Sequence, residues 1–341
     1  MSHKREANSF DAPLPATSTA SGPLSGVLGA VALAAPVTAI VPRLAARVEW
    51  QTVALAVVIY AGWLAAVLAG GLALLPAWAW APLAAWCVAW QASLQHEVLH
   101  GHPTPNAALN RWIAGPPLVL WLPYERYRAT HLQHHADERL TDPLDDPESF
   151  YVTAEAWERA GRLHRLALRV LNTLAGRLLL GPPWVAARFV LAETRRIRRG
   201  DRILGRVWGR HGLQAFAVLA VLQGVLGVPA WLYMLAVVWP ATSLMLLRSF
   251  AEHRPAADPA HRSAIVESRG PLAWLFLSNN LHALHHERPG LPWFVLPKIY
   301  GANRDAVLAR NGGYRLTGYR EVARRWLLTP RDHPRHPGWT D

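Results

Sequence analysis

Eight histidines stand in three short runs, His96-x-x-x-His100, His131-x-x-His134-His135 and His282-x-x-His285-His286, with His102 two places behind the first. Each run holds a pair four residues apart, which on a helix puts two imidazoles on one face with Cβ atoms about 5–6 Å apart. Each run also lies at or near the end of an apolar stretch, where an unpaired polar group costs roughly 2–7 kcal/mol. Metal coordination removes that cost and uses neutral imidazole as the ligand. The chain therefore reads as built around a histidine-ligated metal site. The other histidines (His3, His164, His211, His261, His333 and His336) read as surface or singly satisfied groups.

With 52% hydrophobic and only 17% charged residues among 341, the chain can supply several membrane helices. Four stretches approach the ~20 apolar residues that cross a ~30 Å hydrocarbon core: Thr52–Leu75, Ala77–Gln95, Leu213–Val228 and Ala230–Leu247. They predict an all-α integral membrane protein with two transmembrane hairpins. Residues 1–23, rich in Ser, Thr, Pro and Ala, read as a disordered tail, and Leu24–Val41 as a membrane-associated segment. Residues 24–326 are expected to form one membrane domain, with 327–341 a flexible C-terminal tail. Trp112–Pro123 is too short to span and is broken by Gly115-Pro116-Pro117, so it is expected to be re-entrant or to lie on the surface.

The net charge of +12 could suggest nucleic acid, but its distribution argues otherwise. Arginine crowds the segment between the hairpins (Arg159, Arg162, Arg165, Arg169, Arg195, Arg196, Arg198 and Arg199) and recurs after Arg304. The positive-inside rule then puts that segment and both termini on the cytoplasmic side, with anionic lipid or an acidic protein as the partner and no nucleic acid. In this topology all three runs, and His253 just beyond the last span, converge on the cytoplasmic face. The single cysteine, Cys87, excludes an intrachain disulfide or a cysteine-ligated cluster, and no Gly-x-Gly-x-x-Gly fingerprint follows a strand-like run. Reducing equivalents must come from an external donor.

Counting His96, His100, His131, His134, His135, His282, His285, His286 and His253 gives nine imidazoles. That overfills one ion but suits two, each with four or five nitrogens and an open position for O2. All-nitrogen ligation excludes magnesium and calcium and permits iron, zinc, copper or nickel; redox work at a membrane face favours iron. His96-Glu97-Val98-Leu99-His100 also matches the zinc-protease helix motif, with Glu97 as general base. That chemistry leaves most of the other histidines unused. A noncatalytic metal-binding membrane protein is the remaining alternative.

The three runs, with Gly101-His102-Pro103-Thr104, Thr141-Asp142-Pro143, Asn279-Asn280 and Pro289-Gly290-Leu291-Pro292-Trp293, resemble the integral-membrane fatty acid desaturase superfamily, which includes hydroxylases and carotenoid ketolases. The resemblance covers roughly Thr52–Tyr300. It implies two helical hairpins under a cytoplasmic helical cap, a non-haem di-iron centre held by the eight box histidines with His253 as an additional ligand, O2 as cosubstrate and a lipid or acyl-chain substrate. A fatty acyl desaturase is the expected activity, with a hydroxylase or ketolase acting on a hydrocarbon or carotenoid-like substrate as the alternative. The donor is expected to be a ferredoxin- or cytochrome-type protein docking on the arginine-rich face.

Ligating histidines usually donate their other ring proton to a carboxylate or carbonyl. Glu97, His102, Asp137, Asp142, Glu252, Asn279 and Asn280 are the candidates to orient the ligands. Asp145, Asp146 and Glu148 read instead as turn-capping or surface groups of an acidic loop. Trp293 and Phe294, close behind the third run, are expected to shape the substrate entrance.

Overall fold

The computed structural model describes residues 48–136 and 139–338. Residues 1–23, the Leu24–Val41 segment and Asp137 lie outside the described residues. The fold is helical apart from one two-residue parallel ladder. Helices α1 (Trp50–Gly71) and α2 (Ala77–Leu99) form a first hairpin. After the short α3 (Ala107–Ala114), α4 (Tyr124–Ala136) carries the second histidine run. The arginine-rich middle forms α5 (Ala154–Arg159), α6 (Arg162–Leu171), α7 (Leu174–Leu179) and α8 (Gly181–Arg198). A second hairpin follows: α9 (Arg202–Ala220), extended by a π-helical turn over Val221–Val225, and α10 (Ala230–Glu252). The cap is completed by β1 (Ile265–Val266), α11 (Pro271–Leu275), α12 (His282–Glu287), α13 (Leu296–Arg310), β2 (Arg315–Leu316) and α14 (Tyr319–Trp326).

Two of the four expected spans, α1 and α10, are long and apolar enough to cross a membrane. The expected second span continues past Gln95 to Leu99, so His96 sits on the helix and His100 ends it. The expected third span is the C-terminal part of a longer helix that begins at Arg202 and carries Arg206, Arg210 and His211. The two hairpin turns meet: a Cβ on Gly71 would fall 1.8 Å from the Leu226 carbonyl oxygen, so only glycine permits this approach. Trp80 lies beneath Gly70 and is buried, whereas Trp78, Trp112 and Trp231 are exposed. The histidines stand at the opposite end. A 23-residue helix such as α2 is about 34 Å long, so the hairpins hold turns and histidines well apart.

The apolar segment after α3 is inserted between the hairpins, with Leu118, Val119 and Leu120 buried. Its backbone carbonyls need internal donors there. Gln95 donates to Ala114 O (2.8 Å), Gln91 to Pro116 O (2.9 Å), Tyr233 to Leu118 O (3.0 Å), and His211 Nε2 to Leu120 O (2.7 Å). Polar residues of the surrounding helices therefore satisfy the backbone of this buried segment. Immediately beyond, Arg126 anchors α4 to α8 through a two-pronged buried ion pair with Glu193 (2.7 and 3.0 Å), to which Trp208 of α9 also donates (3.1 Å).

The stretch from Leu327, expected to trail off as a flexible tail, is instead tied down through the last described residues. Arg331 N donates to Asn172 O (2.8 Å), Val152 N to Pro334 O (2.9 Å) and His336 N to Val152 O (3.0 Å). Composition hides these contacts of residues 327–338: the stretch is polar and Pro-rich, and nothing local signals that the Arg331 side chain and His336 pack against distant loops.

Candidate metal centre

The nine histidines come together as two groups. His96, His100, His131, His135 and His285 form one, and His134, His253, His282 and His286 the other; within each, the ligand nitrogens lie within 4.8 Å of one another. Helix geometry explains the division. Residues four apart share a face, so His96 joins His100, His131 joins His135, and His282 joins His286. Neighbours on a helix diverge by about 100°, so His134 and His135 go to different groups, as do His285 and His286. The groups adjoin, with the His135 and His286 rings stacked at 4.1 Å.

Several observations fit a metal ion in each group. The Nε2 atoms of His100 and His131 are buried without a hydrogen-bond partner, an expensive arrangement unless a metal takes the lone pair. Four Nε2 pairs face one another: His134–His253 at 3.1 Å, His253–His282 at 2.9 Å, His282–His286 at 3.0 Å and His135–His285 at 3.1 Å. Nitrogens at right angles around an ion with bonds of about 2.1 Å stand about 3.0 Å apart. Burial pushes the imidazoles of His131, His135, His282, His285 and His286 below their ordinary value, which favours the neutral, ligating form. His134 differs. Burial alone would lower it, but the Asp146 and Glu148 carboxylates outweigh burial and raise it to about 9.

The groups that orient these rings are only partly those expected. Glu252 lies 3.2 Å from His282 Nδ1 and pairs with Arg248 at 2.9 Å. Asn279 Oδ1 is 3.1 Å from the same Nδ1, and its Nδ2 is 3.4 Å from His96 Nε2. Asp137 lies outside the described residues, and the other candidates engage other partners. Glu97 stands 3.9 Å from His96 Nδ1 and accepts the Trp293 backbone N–H at 3.0 Å. His102 points away to Glu49, 2.5 Å from Nδ1. Asp142 Oδ1 accepts the backbone N–H groups of Leu144 and Asp145. Asn280 donates to Val266 O and Ser268 O, fixing the loop that precedes α11.

Three orienting residues were missed. Asp146 Oδ1 lies 2.9 Å from His134 Nδ1, Glu148 Oε1 lies 2.7 Å from His131 Nδ1, and Ser263 Oγ lies 3.2 Å from His253 Nδ1. The acidic loop does contain turns, as expected, and Asp145 pairs with Arg139 on its surface. The turns, however, fold the loop back over α4 and carry Asp146 and Glu148 inward. The available signal was the local excess of carboxylates 7–13 residues after the second run.

Trp293 and Phe294 line a cavity of about 830 Å³, together with Trp274, Asn280, Leu281 and Tyr300. Its wall is coupled to the histidines because Trp293 N is held by Glu97, the neighbour of His96, and Trp293 Nε1 by Thr52 of α1 at 3.2 Å. Leu277 and Ser278, just before Asn279, both take left-handed backbone conformations (φ 49° and 59°), a strained geometry for non-glycine residues. The family model described as fatty acid desaturase matches residues 73–318. No curated protein matches the chain.

Proposed function

The chain belongs to the fatty acid desaturase family, and from that membership and the two histidine groups we propose that it is a membrane-bound, O2-dependent di-iron oxidoreductase that desaturates a long-chain fatty acyl substrate. The observation that carries the reading is the division of nine buried or half-buried imidazoles into adjoining groups of five and four. All-imidazole ligation suits iron better than magnesium or calcium, and bound iron would supply the O2 chemistry that removes hydrogen from an unactivated C–H bond. The overall reaction balances with two external electrons: R–CH2–CH2–R′, O2, two electrons and two protons give R–CH=CH–R′ and two waters.

The chain's own residues have distinct parts in this reading. Asp146, Glu148, Ser263, Glu252 and Asn279 hold rings in orientation from their outer nitrogens. The cavity at Trp293 and Phe294 receives the acyl chain, its volume lying within the range of ligand pockets. The exposed arginines Arg162, Arg169, Arg195, Arg198 and Arg199 offer a basic surface to an acidic ferredoxin- or cytochrome-type donor. The topology we propose is multi-pass, with two hairpins in the bilayer and the histidine groups and both termini on the cytoplasmic side. A zinc protease would need Glu97 as a free base, but this carboxylate is buried and engaged by Trp293.

Lipid mass spectrometry of aerobic cells producing the wild type or the His285→Ala/His286→Ala variant tests the proposal. A wild-type product two hydrogens lighter than its precursor, absent from the variant, is expected. A product gaining one oxygen would replace desaturation by hydroxylation, and unchanged lipids would reject a lipid substrate.

A further inference from the structure

Helix α10 ends at Glu252, directly before His253 of the four-histidine group, and a helix end leaves its last carbonyls without intrahelical donors. Here they are met from three separate parts of the chain. Ala251 O accepts from Tyr314 Oη (3.2 Å) and Glu252 O from Ala264 N (2.8 Å). The carbonyls of Phe250 and His253 itself are both taken by the guanidinium of Arg331. Arg331 is buried and pairs with Asp332 (3.2 Å), which in turn accepts from Tyr151 Oη (2.7 Å). A cation here also complements the negative end of the helix dipole.

Five residues later the same segment reaches a second ligand. His336 Nε2 lies 3.1 Å from Thr141 Oγ1, Thr141 N donates to Asp146 Oδ2 (2.8 Å), and Asp146 Oδ1 lies on His134 Nδ1 (2.9 Å). The segment thus supports His253 directly through its carbonyl and His134 through two intermediates. Both are in the four-histidine group; the five-histidine group is reached only one step further on, where Asp146 Oδ1 accepts Glu148 N (2.8 Å) and Glu148 Oε1 lies on His131 Nδ1 (2.7 Å).

We propose that the C-terminal arm around Arg331–His336 is a brace for the four-histidine site, with Arg331 the residue that positions His253 for metal binding. The inference rests on the metal-centre reading above. It assigns a selective role: without the brace the chain keeps its fold and the five-histidine ion, and loses the other.

The test is iron content and ferrous-iron affinity of the full chain in detergent, beside its helical circular dichroism. The wild type is expected to hold two irons, Arg331→Met about one with the second bound about 10–100-fold more weakly, and His336→Phe to show a smaller loss. Arg331→Lys, which still donates to carbonyls, is expected to recover part of the binding. His285→Ala should also retain about one iron, and combining it with Arg331→Met should leave none. Two irons held by Arg331→Met as tightly as by the wild type would overturn the brace alone. Loss of both irons together with helical signal would overturn its selectivity. A wild type that binds no iron would refute the metal centre and the brace with it.

Discussion

The two histidine groups are adjacent and chemically alike, yet they are held in different ways. The five-histidine group takes four of its members from α2 and α4, as two pairs with helical spacing. Among the described residues only His131 there has its Nδ1 within hydrogen-bonding reach of a carboxylate. In the four-histidine group three of the four rings are gripped from outside, His134 by Asp146, His253 by Ser263 and His282 by Asn279 and Glu252. One site is oriented mainly by helix geometry, the other mainly by side chains arriving from loops and from α10. The second should therefore be the more sensitive to changes remote from the histidines.

The largest effect tests whether the groups are separate sites. His285→Ala and His286→Ala remove neighbouring residues that belong to different groups. Each is expected to weaken one ion at least about 100-fold, the upper end of what losing an outer partner costs, and to abolish turnover. Metal titration of both variants checks this, and loss of both ions from either one would merge the two sites into a single unit.

A smaller effect separates the modes of support. Asp146→Asn is expected to weaken metal binding about 10–100-fold, and more than Glu148→Gln does. The Asp146 carboxylate also accepts the backbone N–H groups of Thr141 and Glu148, so its loss loosens the loop as well as the ring. Equal affinities in the two variants would remove the distinction drawn here. Least of all, Arg139→Ala, which breaks the exposed pair with Asp145 in the same loop, should cost under about 1 kcal/mol of stability. Its iron content should equal that of the wild type; a loss would mean that the whole loop surface matters, and not its inward carboxylates.

Much of the centre was legible because imidazoles four apart must share a helical face. The nine histidines, the pairs four apart that stay together and the inclusion of His253 just beyond the last expected span were readable from spacing and position. The helices at the expected spans were also legible, although among the described residues only α1 and α10 have the length and apolarity to cross a membrane. The outer partners were not legible in full. Glu252 and Asn279 lie close to ligands in sequence and were found. Asp142 and Asp146 each stand just before a proline, and only the path of the loop turns one to its own backbone and the other to His134.

The sequence by itself determined what the site is made of and which histidines pair, since helical periodicity is a local property set by residues a turn apart. Tertiary structure alone decided how the pairs combine across α2, α4, α10 and α12, and that the polar end of the chain closes over His253. Such contacts join Arg331 to His253 and His336 to Thr141, and they depend on where whole loops and helices come to rest. No spacing rule reaches that far along a chain.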